Sequence, residues 1–245
     1  MLPILPALRN LLFPRRCLVC GTTLQPQEPF LCTHCLSTLP YTGYHGSPGN
    51  NAERLFYGTA PVERAEAYLY YHAGASSSQV IRALKYRHRP EVGLWMGSVL
   101  AASLADTDFL DGITGLIAIP LAPRRQRHRG YNQSLMIAEG IASATGLPLL
   151  TDVVRRIREN PTQTHLLPQQ RRQNVEGIFR CEHPELIRHG HLLVVDDVVT
   201  TGATLSSCIN AMKDATPTAR FSVITLAHAA HATSLHGISA PCFDV

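Results

Sequence analysis

The chain has 245 residues, of which 45% are hydrophobic, and its 22 basic and 18 acidic residues give a formal net charge of +4. This length and composition suit one α/β domain with a small appendage and exclude two full domains. No run of 18 apolar residues occurs, so no membrane span is predicted. Residues 1–9 show neither a basic start nor a small-residue cleavage site, so no signal peptide is predicted. We therefore expect a cytoplasmic protein.

Four of the seven cysteines form two Cys-x2-Cys pairs: Cys17 with Cys20, and Cys32 with Cys35. Two such pairs, eleven residues apart, allow four thiolates to converge on one tetrahedral metal. Four thiolate ligands fill the tetrahedral coordination sphere and leave no position for a substrate, which indicates a structural zinc. A redox pair or an iron–sulfur cluster is the alternative. His34 is interpreted as a bystander, because the four cysteines complete the ligand set.

A stretch rich in proline, glycine and asparagine runs from residue 40 to 51. Its composition favours neither helix nor strand, and we interpret it as a linker. The boundary is placed near residue 55. This divides the chain into a four-cysteine zinc module with its linker at 1–54, a main domain at 55–228 and a C-terminal tail at 229–245.

The main domain shows alternating strand and helix patterns. Loose polar and apolar alternation predicts an edge strand over 64–71, and caps and periodicity predict helices over 76–86 and 91–104. An apolar helix pattern through 135–141 ends at Gly146, a typical C-cap. Further strands are predicted over 115–120, 147–154, 191–195 and 221–226, with a helix over 203–214. This order predicts a mostly parallel sheet with helices on both faces and ligands at the carboxyl ends of the strands.

The main candidate site is residues 192–204, Leu-Leu-Val-Val-Asp-Asp-Val-Val-Thr-Thr-Gly-Ala-Thr. A buried strand ends in two carboxylates, Asp196 and Asp197, and turns through Gly202 into a helix. Gly202 permits a tight turn, and the free N–H groups of the first helical turn attract an anion. Three hydroxyls add donors: Thr200, Thr201 and Thr204. This pattern predicts a phosphate-binding turn.

Two known phosphate-binding patterns are missing from this segment. It has neither the Gly-Lys-Ser/Thr of a P-loop nor the three glycines of a dinucleotide-binding loop, which disfavours an ATPase and a nicotinamide enzyme. Adjacent strand residues point to opposite faces, so Asp196 and Asp197 reach one ligand only if the chain already turns there. Otherwise one of them is structural. An aspartate pair that merely caps a helix is the alternative.

The order of two acids, two aliphatic residues and Thr-Thr-Gly-Ala-Thr resembles the phosphoribosyl pyrophosphate (PRPP) signature of type I phosphoribosyltransferases. The resemblance implies that residues 200–204, including Ala203, hold the 5-phosphate. It further implies that Asp196 and Asp197 face the ribose hydroxyls, directly or through Mg²⁺, as the catalytic pair.

The likeness extends to the ComF/GntX branch of this superfamily. Arg129-Gly-Tyr-Asn-Gln133 resembles the segment after its pyrophosphate loop. The pattern of Arg158, Gln163, Leu166 and residues 171–179 resembles its flexible-loop region and the helix after it. The two N-terminal Cys-x2-Cys pairs also occur in the domain arrangement of that family. The resemblance implies a type I phosphoribosyltransferase fold with a small N-terminal zinc module. Two further pairs of site residues are expected: Arg124 and Arg127 at the pyrophosphate, and Arg158 and Gln163 in a lid.

Three functional hypotheses follow. The first is transfer of the 5-phosphoribosyl group from Mg-PRPP to an acceptor that stays unidentified, because no segment predicts a nucleobase pocket. The second is a non-catalytic accessory protein for single-stranded DNA or competence proteins, since the family is linked to DNA uptake in natural transformation. The third is a nucleic-acid-binding zinc ribbon on a degenerate enzyme fold. It is disfavoured because only Arg15, Arg16 and Phe30 supply basic and aromatic groups near the two cysteine pairs, which is too few to bind phosphates and stack on bases. The sequence does not define the oligomeric state.

Overall fold

The computed structural model describes residues 14–86, 88–158 and 177–229. Within these ranges four strands form a fully parallel sheet in the order β1-β6-β5-β2. They are β1 (Val62–Tyr70), β2 (Gly115–Ala118), β5 (His191–Val199) and β6 (Arg220–His228). Two shorter strands, β3 (Val154–Arg156) and β4 (Phe179–Cys181), form a separate antiparallel pair. The predicted parallel sheet is confirmed, with β1 at an edge as expected.

Helices cover both faces of the sheet. They are α1 (Thr33–Ser37), α2 (Asn51–Arg54), α3 (Ser76–Tyr86), α4 (Pro90–Ser103), α5 (Pro123–Arg129), α6 (Gln133–Thr145) and α7 (Ala203–Ala215), with a 3-10 turn at Pro184–Ile187. Side chains of β5 alternate between two apolar clusters: Val195 packs with α3, α4 and α6, whereas Val194 packs with α7. Burial on both faces explains the uninterrupted apolar run of β5. Among the described helices, none combines the length and the hydropathy that crossing a bilayer requires.

One strand prediction was wrong in its extent. Over 147–154 the structure has a single parallel bridge between Leu149 and Leu116, and β3 begins at Val154. Pro148 contributes a carbonyl to Leu116 but has no N–H to donate, so the contact does not continue as a strand. The strand predicted over 191–195 runs on to Val199, because its hydrogen bonds to β6 continue that far.

The stretch interpreted as a linker follows the outer edge of β1. Tyr41 forms an antiparallel bridge with Leu69. Farther along, the Asn50 side chain donates to Ala65 O at 2.7 Å, and its Oδ1 accepts from the first turn of α2. The helix α2 begins at Asn51, the last residue of this stretch, because Asn50 supplies its N-cap.

The four-cysteine segment packs directly on the main domain. Leu18 and Leu31 belong to the same buried apolar cluster as Val80 of α3. The ring of Phe30 lies 5.5 Å from that of Trp95 on α4. The division at residue 54 stays a prediction about chain organisation, and the residues on its two sides share one apolar cluster.

The helices α4 and α6 cross at two glycines. A Cβ at Gly97 would collide with Ile137 O, and a Cβ at Gly140 would collide with Leu94 O. Backbone therefore lies against backbone at this crossing, which any larger residue would force apart. The contact fixes the position of α6, whose first turn approaches the end of β5.

We expect Gly140→Ala to lower the free energy of unfolding by about 2 kcal/mol or more, because the added methyl group meets backbone atoms that cannot rotate away. Chemical denaturation monitored by circular dichroism measures this change. Ser143→Ala, at an exposed position of the same helix, is the control and should change stability by less than about 0.5 kcal/mol. Equal stability of the two variants would contradict the close crossing.

Candidate functional site

The two aspartates near the end of β5 contact different partners. The strand continues through both of them to Val199, so the chain does not turn at the carboxylates. Asp196 Oδ1 accepts hydrogen bonds from Ser134 Oγ on α6 and from the Asp197 amide, each at 2.8 Å. Asp197 Oδ2 lies 2.9 Å from Lys85 Nζ in the last turn of α3. The site is therefore a junction of β5, α3 and α6.

The surroundings of Asp196 disfavour its charged form. Burial, and next the nearby charge of Asp197, raise the pKa of Asp196. The hydrogen bonds from Ser134 and from the Asp197 amide oppose this shift, as does the more distant charge of Lys85. Asp196 consequently takes up a proton more readily than an exposed aspartate does.

The turn after β5 leads into α7 through Gly202. This glycine has φ +73° and is the N-cap of α7, with no side-chain hydrogen bond at the cap. A Cβ there would lie 3.1 Å from Phe56 Cε1 and 3.3 Å from Leu55 Cβ, so both backbone angle and space favour glycine. The N–H groups of the first turn of α7 therefore stay available to an anion.

A small cavity of about 60 Å³ lies at this turn. Among the described residues, its border consists of Asp196 and the segment 198–205, which contains all the threonines singled out from the sequence. The structure thus brings Asp196 and the predicted phosphate-binding turn around one space. Asp197 does not border that cavity and faces Lys85 instead.

The other predicted site residues lie farther out. Arg124 and Arg127 are exposed on α5, which begins five residues after β2 ends and so starts at the same carboxyl edge of the sheet. Arg158 is exposed just after β3. Gln163 lies outside the described residues. Neither the pyrophosphate role of the arginines nor the lid is tested by this geometry, and both stay predictions.

Two residues of the junction were missed in the sequence. Lys85 lies in the last turn of an amphipathic helix, where a basic residue interacts favourably with the helix dipole in any case, so the sequence offered no reason to assign it to the site. Ser134 directly follows the Arg129–Gln133 motif. That motif has structural tasks: the Tyr131 hydroxyl donates to Leu84 O, next to Lys85, and Asn132 Oδ1 caps the Ser134 amide.

The four N-terminal cysteines form a second candidate site, suited to a metal. Their Sγ atoms all lie within 4.8 Å of one another, and Cys20 Sγ is 3.7 Å from Cys32 Sγ. Tetrahedral zinc with Zn–S bonds of about 2.3 Å requires sulfur atoms about 3.8 Å apart. The Cys32 and Cys35 amides donate to Cys17 Sγ and Cys32 Sγ at 3.4 Å, as in a shell that orients metal ligands. The donor set fits zinc.

Comparison with known families identifies two regions of the chain. The phosphoribosyl transferase domain matches residues 132–244, and the double zinc ribbon domain matches residues 8–45. The first region begins at the start of α6 and includes β5, the turn and α7. Together with the parallel sheet and the cysteine cluster, these matches confirm the predicted fold class, a type I phosphoribosyltransferase domain with an N-terminal four-cysteine zinc-binding module.

Several named proteins are similar over most of the chain. The DNA utilization protein YhgH of Salmonella typhi is 28% identical over 193 residues, covering 78% of this chain and 80% of that protein. Competence protein F of Haemophilus influenzae is 27% identical over 207 residues, covering 79% of this chain and 89% of that protein. Competence protein ComFC of Streptococcus pneumoniae is 23% identical over 223 residues, covering 82% of this chain and 94% of that protein.

Solved structures give a more distant likeness. Glutamine PRPP amidotransferase from B. subtilis aligns with a TM-score of 0.40 at 16% identity, over 60% of this chain. The aligned part is 30% of that protein, so this chain spans less than a third of its length.

We expect the purified protein to contain one zinc ion per chain in elemental analysis, since the four sulfur atoms form a single closed site. Cys32→Ser should lose most of this zinc, because a serine hydroxyl replaces one thiolate ligand. Cys181→Ser is the matched control, as Cys181 is also partly buried but lies outside the cluster, and it should keep the full zinc content. Wild-type protein without zinc, or a Cys32→Ser variant with full zinc, would overturn this assignment.

Proposed function

We propose that this chain acts as a phosphoribosyltransferase of the ComF/GntX type, which binds Mg-PRPP at the carboxyl end of β5 and transfers its 5-phosphoribosyl group to an acceptor. The observation that carries the proposal is the first turn of α7, which lacks a side-chain cap and borders a cavity together with Asp196. The match of the phosphoribosyl transferase domain to residues 132–244 supports it independently.

The turn between β5 and α7 has the chemistry of a phosphate site. Free N–H groups at the start of a helix combine with the helix dipole to favour an anion, and α7 is thirteen residues long. The hydroxyls of Thr200, Thr201 and Thr204 can donate further hydrogen bonds. We assign the 5-phosphate to residues 200–204, because Gly202 lets the backbone approach it closely.

In this proposal Asp196, which borders the cavity, faces the ribose and its metal, and Asp197 joins it as a metal ligand only when its carboxylate leaves Lys85. Carboxylate oxygens are ligands that Mg²⁺ prefers, and such sites usually use one or two carboxylates together with phosphates of the substrate. Asp196 and Asp197 fit this donor set. When bound, Mg²⁺ would offset negative charge on the pyrophosphate. The exposed arginines Arg124 and Arg127 can do the same from α5, and Arg158 with Gln163 are proposed for a lid.

The transfer itself needs no covalent chemistry from the protein. The bond between the ribose C1 and the pyrophosphate oxygen breaks, and its electron pair leaves with pyrophosphate. A lone pair of the acceptor forms the new bond to C1, which carries positive charge between the two events. Catalysis is then positioning and electrostatic stabilisation by Asp196, Asp197 and the arginines.

A non-catalytic accessory role in handling single-stranded DNA is the second candidate. The names of the similar proteins refer to DNA utilization and competence. The helix α5, with the sequence Pro-Arg-Arg-Gln-Arg-His-Arg, has no buried residue, and the side chains of Arg125 and Arg127 on it are exposed. Such a surface attracts polyanions, and the zinc module would then supply contacts to a partner protein or to nucleic acid.

Asp196→Asn combined with Asp197→Asn should weaken binding of Mg-PRPP by about tenfold or more, because two charged ligands of the ribose and its metal are lost. Isothermal titration calorimetry with PRPP at saturating Mg²⁺ measures this loss. The matched control is Asp106→Asn combined with Asp111→Asn, which removes the same charge from exposed positions preceding β2. If the two double variants bind PRPP with equal affinity, the assignment of the site to Asp196 and Asp197 is wrong. Release of pyrophosphate with a panel of bases and single-stranded DNA then tests turnover.

The accessory role predicts a different response. If α5 binds single-stranded DNA, affinity should fall steeply with salt, by about 0.7 log units per log unit of salt for each phosphate contact. Arg125→Gln combined with Arg127→Gln should reduce the slope of log affinity against log salt concentration by about 1 to 2, as measured by fluorescence anisotropy. If the affinity of the wild type for single-stranded DNA does not change with salt, the accessory role is contradicted.

A further inference from the structure

The structure contains an ion pair at the proposed PRPP site that the functional assignment does not use. We propose that Lys85 is a positioning residue of this site, which competes with the metal for Asp197 and offsets carboxylate charge when PRPP enters. This inference rests on the proposed function. Lys85 lies outside residues 132–244, the region that matches the phosphoribosyl transferase domain.

The pair of Lys85 with Asp197 differs from an ordinary surface ion pair. Its two charged atoms are 2.9 Å apart, and the side chains are 20% and 12% exposed. Salt and water screen such a pair less than a pair at a fully exposed position. The ammonium therefore fixes the orientation of the Asp197 carboxylate in the ligand-free protein.

The end of α3 that carries Lys85 is held by packing and by a hydrogen bond. Val80, Ile81 and Leu84 are buried in the apolar cluster shared with α4 and α6. The hydroxyl of Tyr131 donates to Leu84 O, the carbonyl just before Lys85. The helix backbone is thus fixed, whereas the ammonium sits on a flexible four-carbon stem that can move from Asp197 toward another anion.

The charges at the junction explain why a lysine is needed there. Asp196 and Asp197 are adjacent, and PRPP itself carries several negative charges. Without a cation the two aspartates would repel the ligand that they are to orient. Lys85 reduces this repulsion, and its ammonium also occupies Asp197 Oδ2, an atom that a divalent cation would use.

Loss of the Lys85 charge therefore has effects of opposite sign on the metal and on PRPP. Asp197 becomes more accessible to a divalent cation, so the metal alone binds more tightly. The site also becomes more negative, so PRPP binds more weakly even at saturating metal. A substitution that merely damages the fold weakens both ligands together.

The test compares Lys85→Met, Lys85→Arg and the control Arg82→Met. Arg82 is exposed on the same helix, so its substitution removes one positive charge from α3 without touching the pair. Electron paramagnetic resonance measures Mn²⁺, a visible substitute for Mg²⁺, in the absence of PRPP. Calorimetry measures PRPP at saturating Mg²⁺. All variants are used as full chains with zinc bound.

Lys85→Met should bind Mn²⁺ about threefold more tightly and PRPP about tenfold more weakly, as expected for one close charge. Lys85→Arg should restore PRPP binding to within about threefold of the wild type. Arg82→Met should change neither affinity. Unchanged PRPP affinity in Lys85→Met, or a parallel loss of both ligands, would overturn the role of Lys85. Wild-type protein that fails to bind PRPP would overturn the proposed function itself, and that result is evident before any variant is compared.

Discussion

The hydrogen bonds that β5 forms with strands on both sides constrain every group of the candidate site. β5 pairs with β6 along its whole length and with β2 over four residues, and its apolar side chains are buried on both faces. A strand held in this way cannot shift in register without moving its carboxylates and the turn that begins α7. The partners of Asp196 and Asp197 reach this fixed strand from α6 and α3, so the geometry of the junction depends on how those helices pack on the sheet.

The sequence predicted those parts of the molecule whose chemistry is local. The four cysteine ligands follow from spacing alone, and the turn at Gly202 follows from an apolar strand, a positive-φ residue and the start of a helix within thirteen residues. The junction itself could not be predicted from such patterns. Lys85 and Ser134 lie far from Asp196 in sequence, and tertiary packing alone brings them to the carboxylates. The direction of the two aspartates was left open for the same reason, since it depends on how far β5 remains a strand.

The zinc module shares the core of the main domain, which links the two candidate sites mechanically. Phe30 contacts Trp95 and also lies beneath the guanidinium of Arg89, at 5.3 Å from the ring centre. The same apolar cluster includes Cys35 and the buried face of α3, the helix that carries Lys85 in its last turn. A small cysteine segment has too little apolar surface to fold alone. Here the neighbouring core supplies part of what it lacks, and a bound metal would supply the rest. Its outer surface can still contact partners while its inner surface supports α3.

The way in which the exposed edge of β1 is covered limits how this chain can associate with others. An edge strand normally offers unpaired backbone groups to which a foreign strand can add, in aggregation as well as in peptide recognition. On β1 these groups are already engaged: Tyr41 bridges Leu69, the Thr42 amide donates to Tyr68 O, and Asn50 donates to Ala65 O. A protein partner therefore cannot extend the sheet at this edge without first displacing residues 40–50. Association at this side must instead proceed through side-chain surfaces.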